Sequence, residues 1–322
     1  MTSFLINNIF SFAQHEIDSG KTLSSVTLFG GEPYLPHNKD ALLTLKECCE
    51  KLSVSINSIT NGYYIDEFID IVVAPVFNSF KITIDGTRET HDRRRFPKDT
   101  GKSFDRIIDN IKLLLSLGKS ITVRTNINKE NKDDIFEISN YFREQGFLEN
   151  PFFNHYFKAT IGCFDYLDNA VSDVEIMNVL GNSESNYKFN SVYFRIYKQL
   201  LSFQNNDMVA AINPVFCGAN LSNYVFDPER NVFSCWDLCA NPNSIIGSIN
   251  ENGEVLFNEN VIKWRNRIVQ NLESCKDCQY KMFCGGGCSA QSILSDKNIN
   301  EGFCDNFKEI FNHVVVEMSK HM

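Results

Sequence analysis

The run Cys275-Lys-Asp-Cys278 followed by Cys284-Gly-Gly-Gly-Cys288 constrains this chain more than any other stretch. Four cysteines fall within 14 residues, separated by two, five and three others. Thiolates at such short intervals converge on a metal centre, because a short loop can wrap a cation but cannot easily bury four separate thiols. The three glycines permit positive φ and let main-chain amides approach a cluster sulfur closely. Cys217, Cys235 and Cys239 upstream and Cys304 downstream bring the region to eight cysteines, the number two four-iron clusters need. Paired cysteines of this kind also hold structural zinc, and spacing alone leaves iron–sulfur and zinc open. Disulfides would require an oxidising compartment. The first dozen residues lack a basic segment and a small-residue cleavage site, so they do not read as an export signal. Instead Leu5, Ile9, Phe12, Ala13 and Ile17 fall on one face of a helix.

With 322 residues, 43% apolar and 22% charged, the chain has material for one large domain and a smaller one. A net charge of −9 with no basic stripe argues against a nucleic-acid partner. No apolar segment approaches membrane-spanning length. The expectation is a cytoplasmic protein with metal-type cysteine usage.

Taken in order, the pattern alternates. A helix over residues 3–19 precedes a strand Val26–Phe29 that runs into Gly30-Gly31-Glu32-Pro33. Asn38 caps a helix reaching about Leu52, and a strand Val54–Thr60 ends in Asn61-Gly62. A helix over about Ile65–Val73 leads to a strand Phe80–Ile84 ending in Asp85-Gly86. Ser103 caps a helix stopped by Gly118; Ile121–Asn126 is a strand, Asp133–Gln145 a helix with Gly146 after it, and Phe152–Thr160 a strand. Strands alternating with helices of this length mean βα units around a parallel sheet, whose chemistry sits at the C-terminal strand ends. Gly-Gly-Glu-Pro, Asn-Gly, Asp-Gly, Arg124 and Asn126 all fall on that rim. Each of the Asn-Gly and Asp-Gly pairs is by itself an ordinary turn; four such features on one rim point to a site.

From about residue 168 to 208 the pattern is helical, with a polar interruption over 181–186, and reads as a connector. A hairpin Val225–Phe233, a strand Ile245–Ile249, a helix Val261–Val269 and a closing helix Phe307–Met318 surround the cysteines. The closing helix would bury Phe307, Ile310, Phe311, Val314 and Val315. Three domains are therefore expected: 1–167, 168–213 as a helical connector, and 214–322.

Both halves resemble the radical S-adenosylmethionine (radical SAM) enzymes with a C-terminal SPASM domain, a family that includes sulfatase maturases and peptide maturases. The resemblance covers nearly the whole chain. Phe29-Gly-Gly-Glu-Pro33 resembles the family's second-strand motif, Thr60-Asn61-Gly62 the end of the third strand and Thr83-Ile-Asp85-Gly86 the fourth. His91-Asp92-Arg93-Arg94 resembles the segment that follows, and the SPASM signature falls on Cys217, Cys235, Cys275, Cys278, Cys284, Cys288 and Cys304. The implied fold is α/β, a partial (β/α)6 TIM-like barrel lacking its first strand, followed by a small cysteine-rich SPASM domain.

The resemblance implies roles. Gly30, Gly31, Glu32, Pro33, Asn61, Thr83 and Arg124 would position S-adenosylmethionine, Arg124 through the methionyl carboxylate. Two auxiliary 4Fe-4S clusters are implied, and they tip the metal question to iron–sulfur. One takes Cys275, Cys278, Cys284 and Cys304; the other takes Cys217, Cys235 and Cys288. Its fourth ligand is Cys239, a group elsewhere, or an open position. Asp237 is near where some members keep a proton-accepting carboxylate, and it also reads as a solvated loop acid; no catalytic residue is otherwise assigned. The implied reaction is hydrogen abstraction from a peptide or protein substrate by a 5′-deoxyadenosyl radical, with an electron donor such as flavodoxin or ferredoxin.

Two departures qualify the match. Arg230 stands where the family has glycine, five residues before Cys235, and Asn231 beside it tolerates positive φ. No CxxxCxxC occurs anywhere in the sequence, so the thiolates of a catalytic cluster are not among these residues. The expectation is an N-terminally truncated enzyme that uses S-adenosylmethionine only when that segment is supplied. The alternative is a non-catalytic iron–sulfur electron-transfer or peptide-binding subunit that pairs with a complete enzyme. Adjacent Cys48 and Cys49 read as core cysteines, as does the isolated Cys163. His37 and His155 read as structural, with His155 the one to watch because its strand ends at the rim.

Overall fold

Strand and helix periodicity set the first unit. The computed structural model describes residues 1–97, 101–160, 169–181, 191–239 and 241–320, so Cys163 and most of the polar interruption lie outside the described residues. The chain divides into two compact units, residues 16–190 and residues 1–15 with 191–322.

In the sheet unit, β1 (Ser25–Leu28), β2 (Ser55–Thr60), β3 (Phe77–Thr83), β4 (Ser120–Ile127) and β5 (Phe153–Ala159) lie in sequence order, every pair parallel. This is the parallel sheet expected from the βα alternation, and the partial barrel that the resemblance implies. Burial alternates residue by residue along β2, β4 and β5. Ile56, Phe80, Ile82, Ile121, Val123 and Phe157 are buried on one face; the helices Lys39–Leu52 and Phe104–Ser116 pack on β2 and β4. The other face carries Ser79, Lys81, Thr83, Thr122, Arg124, Asn126, Tyr156 and Lys158, in registers Thr83–Arg124 and Arg124–Tyr156. Parallel sheets buried on both faces are apolar on both; this sheet is apolar on one face alone.

Helix ends explain the connections. Gly118 and Gly146 both take positive φ, 70° and 72°, and close their helices as the sequence predicts. The two predicted N-caps hold their positions without capping by side chain. Asn38 instead donates to the carbonyls of Glu32 and Pro33, at 3.3 and 3.1 Å. At Ser103 the cap comes from Asp92, whose carboxylate accepts from the amides of Ser103 and Phe104 at 2.8 and 2.9 Å.

The cysteine unit is built from shorter pieces. β6 (Val225–Phe226), β7 (Asn231–Phe233), β8 (Ile245–Ile249) and β9 (Val255–Phe257) form an antiparallel sheet in that order. The N-terminal helix Ser3–Asp18 lays Leu5, Ile9 and Phe12 on Ile249, Tyr224, Phe226 and Val255, with the Phe12 ring edge-on to Tyr224 at 5.4 Å. Residues 1–15 therefore group with the cysteine region, and the connector divides between the units at residue 190, unlike the three-part division read from sequence. The predicted helix at Val261–Val269 spans only Asn260–Arg265. On the closing helix Phe307–Ser319, Val315 is exposed rather than buried.

Candidate functional site

The rim of the sheet unit gathers most of its predicted residues around one carboxylate. β1 ends in Gly30 and Gly31, at φ +89° and +48°, and a Cβ on either would meet nothing within 4 Å. Glycine serves conformation here, not clearance, and leaves open space above the turn. Glu32 accepts from the amide of Tyr34 (3.0 Å), the hydroxyl of Thr60 (2.6 Å) and the amide of Asn61 (2.7 Å). It thus fastens the β1 turn to the end of β2. Pro33 is buried behind it, and the Asn61 side chain accepts from the amide of Tyr63 at 2.8 Å.

Arg124 projects from β4 on the polar face and donates to the Thr83 hydroxyl at 3.3 Å; its buried Nε has no protein partner. Lys81 lies nearby over the Tyr156 ring, 5.9 Å from its centroid, with its pKa lowered by burial and then by Arg124. Two cations beside an orphaned N–H suit an anionic ligand. Asp85 holds the end of β3: it accepts from the Asn126 side chain at 2.9 Å and pairs with Arg95 at 2.5 Å. Gly86 has φ +109°, and a Cβ there would lie 2.4 Å from an Asp134 oxygen.

The histidines are structural. His91 Nδ1 accepts from the amide of Asp85, 3.1 Å away, and its Nε2 pairs with the Ser103 hydroxyl at 3.1 Å. Burial lowers its pKa to about 4. His155 sits on the helix-packed face of β5 rather than at the rim. It bonds Thr125 at 2.9 Å between the rings of Phe142 and Phe157, and burial lowers its pKa to about 3. Cys48 and Cys49 are buried on the helix Lys39–Leu52, and burial pushes the Cys49 thiol up to about 12.

In the cysteine unit, none of the ten described cysteines is in a disulfide. Cys275 lies near Cys304 and Cys278, and Cys284 near Cys275 and Cys304. Cys235 lies near Cys288 and Cys217, and Cys288 near Cys217. Cys239 stands apart: its charged neighbours are Asp227 and Asp237, and its thiol donates to the Cys235 carbonyl at 3.7 Å. Asp237 is exposed and lies beside Cys235 and Cys288. Burial raises the thiols, Cys235 to about 12 and Cys284 to about 11, against the pull of nearby amides of Asp237 and Gly286 respectively.

Among the described residues no three or more His, Cys, Asp or Glu side chains close on a single metal ion. The all-thiol donors fit thiolate-bound iron–sulfur as they would structural zinc, and the cations described next suit an anionic centre. Sequence reasoning missed those cations. Arg267, 1% exposed, donates to the carbonyls of Ile299, Gly287, Gly286 and Glu301. Arg195 donates to the carbonyls of Phe216 and Cys284, and its buried Nε has no partner. A lone arginine eight residues before Cys275 gives no signal in one sequence.

Residues 14–142 of this chain, which include β1 to β4, match the Radical SAM superfamily. Its relatives include a cysteine-type anaerobic sulfatase-maturating enzyme of Clostridium novyi, 28% identical over 249 residues, covering 71% of this chain and 63% of the relative. The radical SAM cyclopropyl synthase TigE of Paramaledivibacter caminithermalis is 25% identical over 323 residues, covering 96% of this chain and 64% of the relative. The chain thus spans just under two thirds of each. The fold is shared with anSMEcpe solved with bound AdoMet, at TM-score 0.68 and 14% identity, covering 98% of this chain and 88% of that one. Streptococcus suis SuiB bound to the precursor peptide SuiA follows at TM-score 0.63 and 16% identity, covering 94% and 68%. No helix among the described residues is long and apolar enough to cross a membrane.

Proposed function

We propose that this chain acts in radical SAM/SPASM-type modification of a peptide or protein, with two auxiliary 4Fe-4S clusters. The observation that carries the reading is that seven cysteines in the SPASM pattern gather in one compact unit, none of them disulfide-bonded, in a chain whose residues 14–142 match the Radical SAM superfamily. Cys275, Cys278, Cys284 and Cys304 would hold one cluster. Cys217, Cys235 and Cys288 would hold the other, with Cys239 turned to acidic neighbours instead. Relatives support the substrate class: a sulfatase-maturating enzyme and, by fold, a protein solved with a precursor peptide.

A catalytic cluster, when bound, supplies reductive cleavage of S-adenosylmethionine and a radical that takes a hydrogen atom from the substrate. This chain's residues would bind the cosubstrate: Gly30 and Gly31 by leaving room over the β1 turn, Glu32, Pro33 and Asn61 by fixing that turn, Thr83 and Arg124 by receiving a carboxylate. An electron donor of the flavodoxin or ferredoxin type would serve the clusters. A second reading is a non-catalytic iron–sulfur electron-transfer or peptide-binding subunit working with a complete enzyme.

Anaerobic reconstitution with iron and sulfide tests the first claim: about eight irons per chain are expected, and a zinc-loaded, colourless protein overturns both readings. Incubation with S-adenosylmethionine and dithionite then separates them. Release of 5′-deoxyadenosine once a CxxxCxxC-bearing segment is supplied, and not without it, supports the enzyme; no release with that segment supports the subunit.

A further inference from the structure

Arg267 is a buried cation and Arg195 a half-buried one, neither with a carboxylate partner among the described residues. Arg267 is solvated by four carbonyls between 2.6 and 3.1 Å away. Two of them belong to Gly286 and Gly287, whose φ values of +84° and +73° turn those carbonyls inward. The turn cannot relax around a side chain: a Cβ on Gly287 would lie 1.8 Å from the Phe303 carbonyl oxygen. The glycines between the last cysteines therefore serve the guanidinium as well as any approach of amides to sulfur. Arg195 lies flat on the Phe216 ring, 4.3 Å from its centroid. Neutral acceptors satisfy hydrogen bonds but leave a buried charge uncompensated. The carbonyls of Gly286 and Gly287 that hold Arg267 lie between Cys284 and Cys288, one cysteine from each proposed cluster. Those that hold Arg195 belong to Cys284 and to Phe216, the residue before Cys217, again one from each.

We propose that Arg267, assisted by Arg195, is the fixed counter-cation of both thiolate-bound clusters, a positioning residue that favours their reduced, more negative state. This rests on the cluster reading above. A cation held between two anionic centres lowers the energy of adding an electron to either, and the carbonyl cage holds Arg267 at the turn between Cys284 and Cys288. Arginine suits the post because it stays charged when buried and its planar fork meets several acceptors at once.

The test is an EPR-monitored redox titration, with iron analysis, of the full chain reconstituted anaerobically. Arg267→Met should lower the reduced-to-oxidised ratio of both clusters about tenfold at fixed potential, 59 mV for a one-electron couple, and Arg267→Lys should restore much of it. Arg195→Met should move both in the same direction by less. Arg267→Met that loads full iron with both potentials unchanged overturns the inference. Should that variant fail to fold, Arg195→Met with unchanged potentials overturns it instead. A wild-type chain that binds no iron sinks the cluster reading, and this inference with it; iron uptake with insensitive variants sinks the inference alone.

Discussion

The two units are ordered by different means. The sheet unit rests on a broad apolar face: Phe80, Ile82, Ile121, Val123 and Phe157 are all at most 1% exposed across consecutive strands. The cysteine unit has strands of two to five residues and small separate apolar clusters, one of them only Val269, Leu272 and Cys275 with Met282 alongside. Alongside an apolar cluster of Ala219, Val232, Leu238, Ile246, Trp264 and Ala290, it holds thiols and guanidinium–carbonyl bonds. An apolar core folds without help; a polar interior that gathers thiols waits for a metal to complete it.

The largest expected effect tests that contrast. Comparing iron-reconstituted and iron-free full chain by hydrogen exchange, protection within 214–320 should fall by about a thousandfold or more, at least about 4 kcal/mol. The amides of β2 to β5 should keep theirs. Equal loss in both units, or none in either, would break the comparison.

Acid should do the reverse and weaken the sheet unit first. His91 and His155 have folded pKa values lowered by burial, from 6.5 to about 4 and about 3. The unfolded chain takes up protons that the folded one refuses. Their stabilising effect is whole above pH 6.5 and is lost as pH falls towards 4. Each should cost about 2 kcal/mol at pH 5. Urea melts from pH 7.5 to 5 check this, and a double variant with Gln at both positions should flatten the profile.

Within the sheet unit the rim has its own fastening. Glu32→Ala removes an acceptor from two amides and a hydroxyl at once, and the loss should be about 2–3 kcal/mol. Glu32→Gln should retain part of it. If Glu32→Ala leaves the urea midpoint unchanged, the carboxylate is not what joins the β1 turn to β2.

Much of this was legible in the sequence, and the reason is periodicity. All five parallel strands were read with ends within three residues, because alternation of apolar residues and glycine stops such as Gly118 and Gly146 are local signals. Features that depend on distant partners were not legible. Asn38 and Ser103 occupy cap positions, yet the side chains that act there are chosen by neighbours in space, Asp92 for one. The N-terminal helix showed its apolar face but not the sheet it covers, more than 200 residues downstream. At the candidate site the thiols stood out by spacing; Arg267 and Arg195 did not, because a caged cation is defined by carbonyls that every residue carries.

The smallest effect lies at the β6–β7 turn, where the sequence put the tolerance for positive φ on Asn231. The structure puts it on Arg230, at φ +71°. Asp227 shapes the turn, accepting from the amides of Glu229 and Asn231 at 2.9 and 2.8 Å. A left-handed non-glycine residue costs about 1 kcal/mol, which glycine would relieve. Glycine also loses the Glu251 ion pair at 3.6 Å and the Phe4 ring contact at 5.7 Å, each worth a few tenths at an exposed site. It adds entropy to the unfolded chain as well. Arg230→Gly should therefore raise stability by no more than about 0.5 kcal/mol, while Arg230→Val should lower it by more than about 1 kcal/mol, since a β-branched residue is poorly suited to that backbone. Urea titrations of the two variants, monitored in the cysteine unit, decide it: a valine as stable as arginine would mean that the turn relaxes and that no strain is held there.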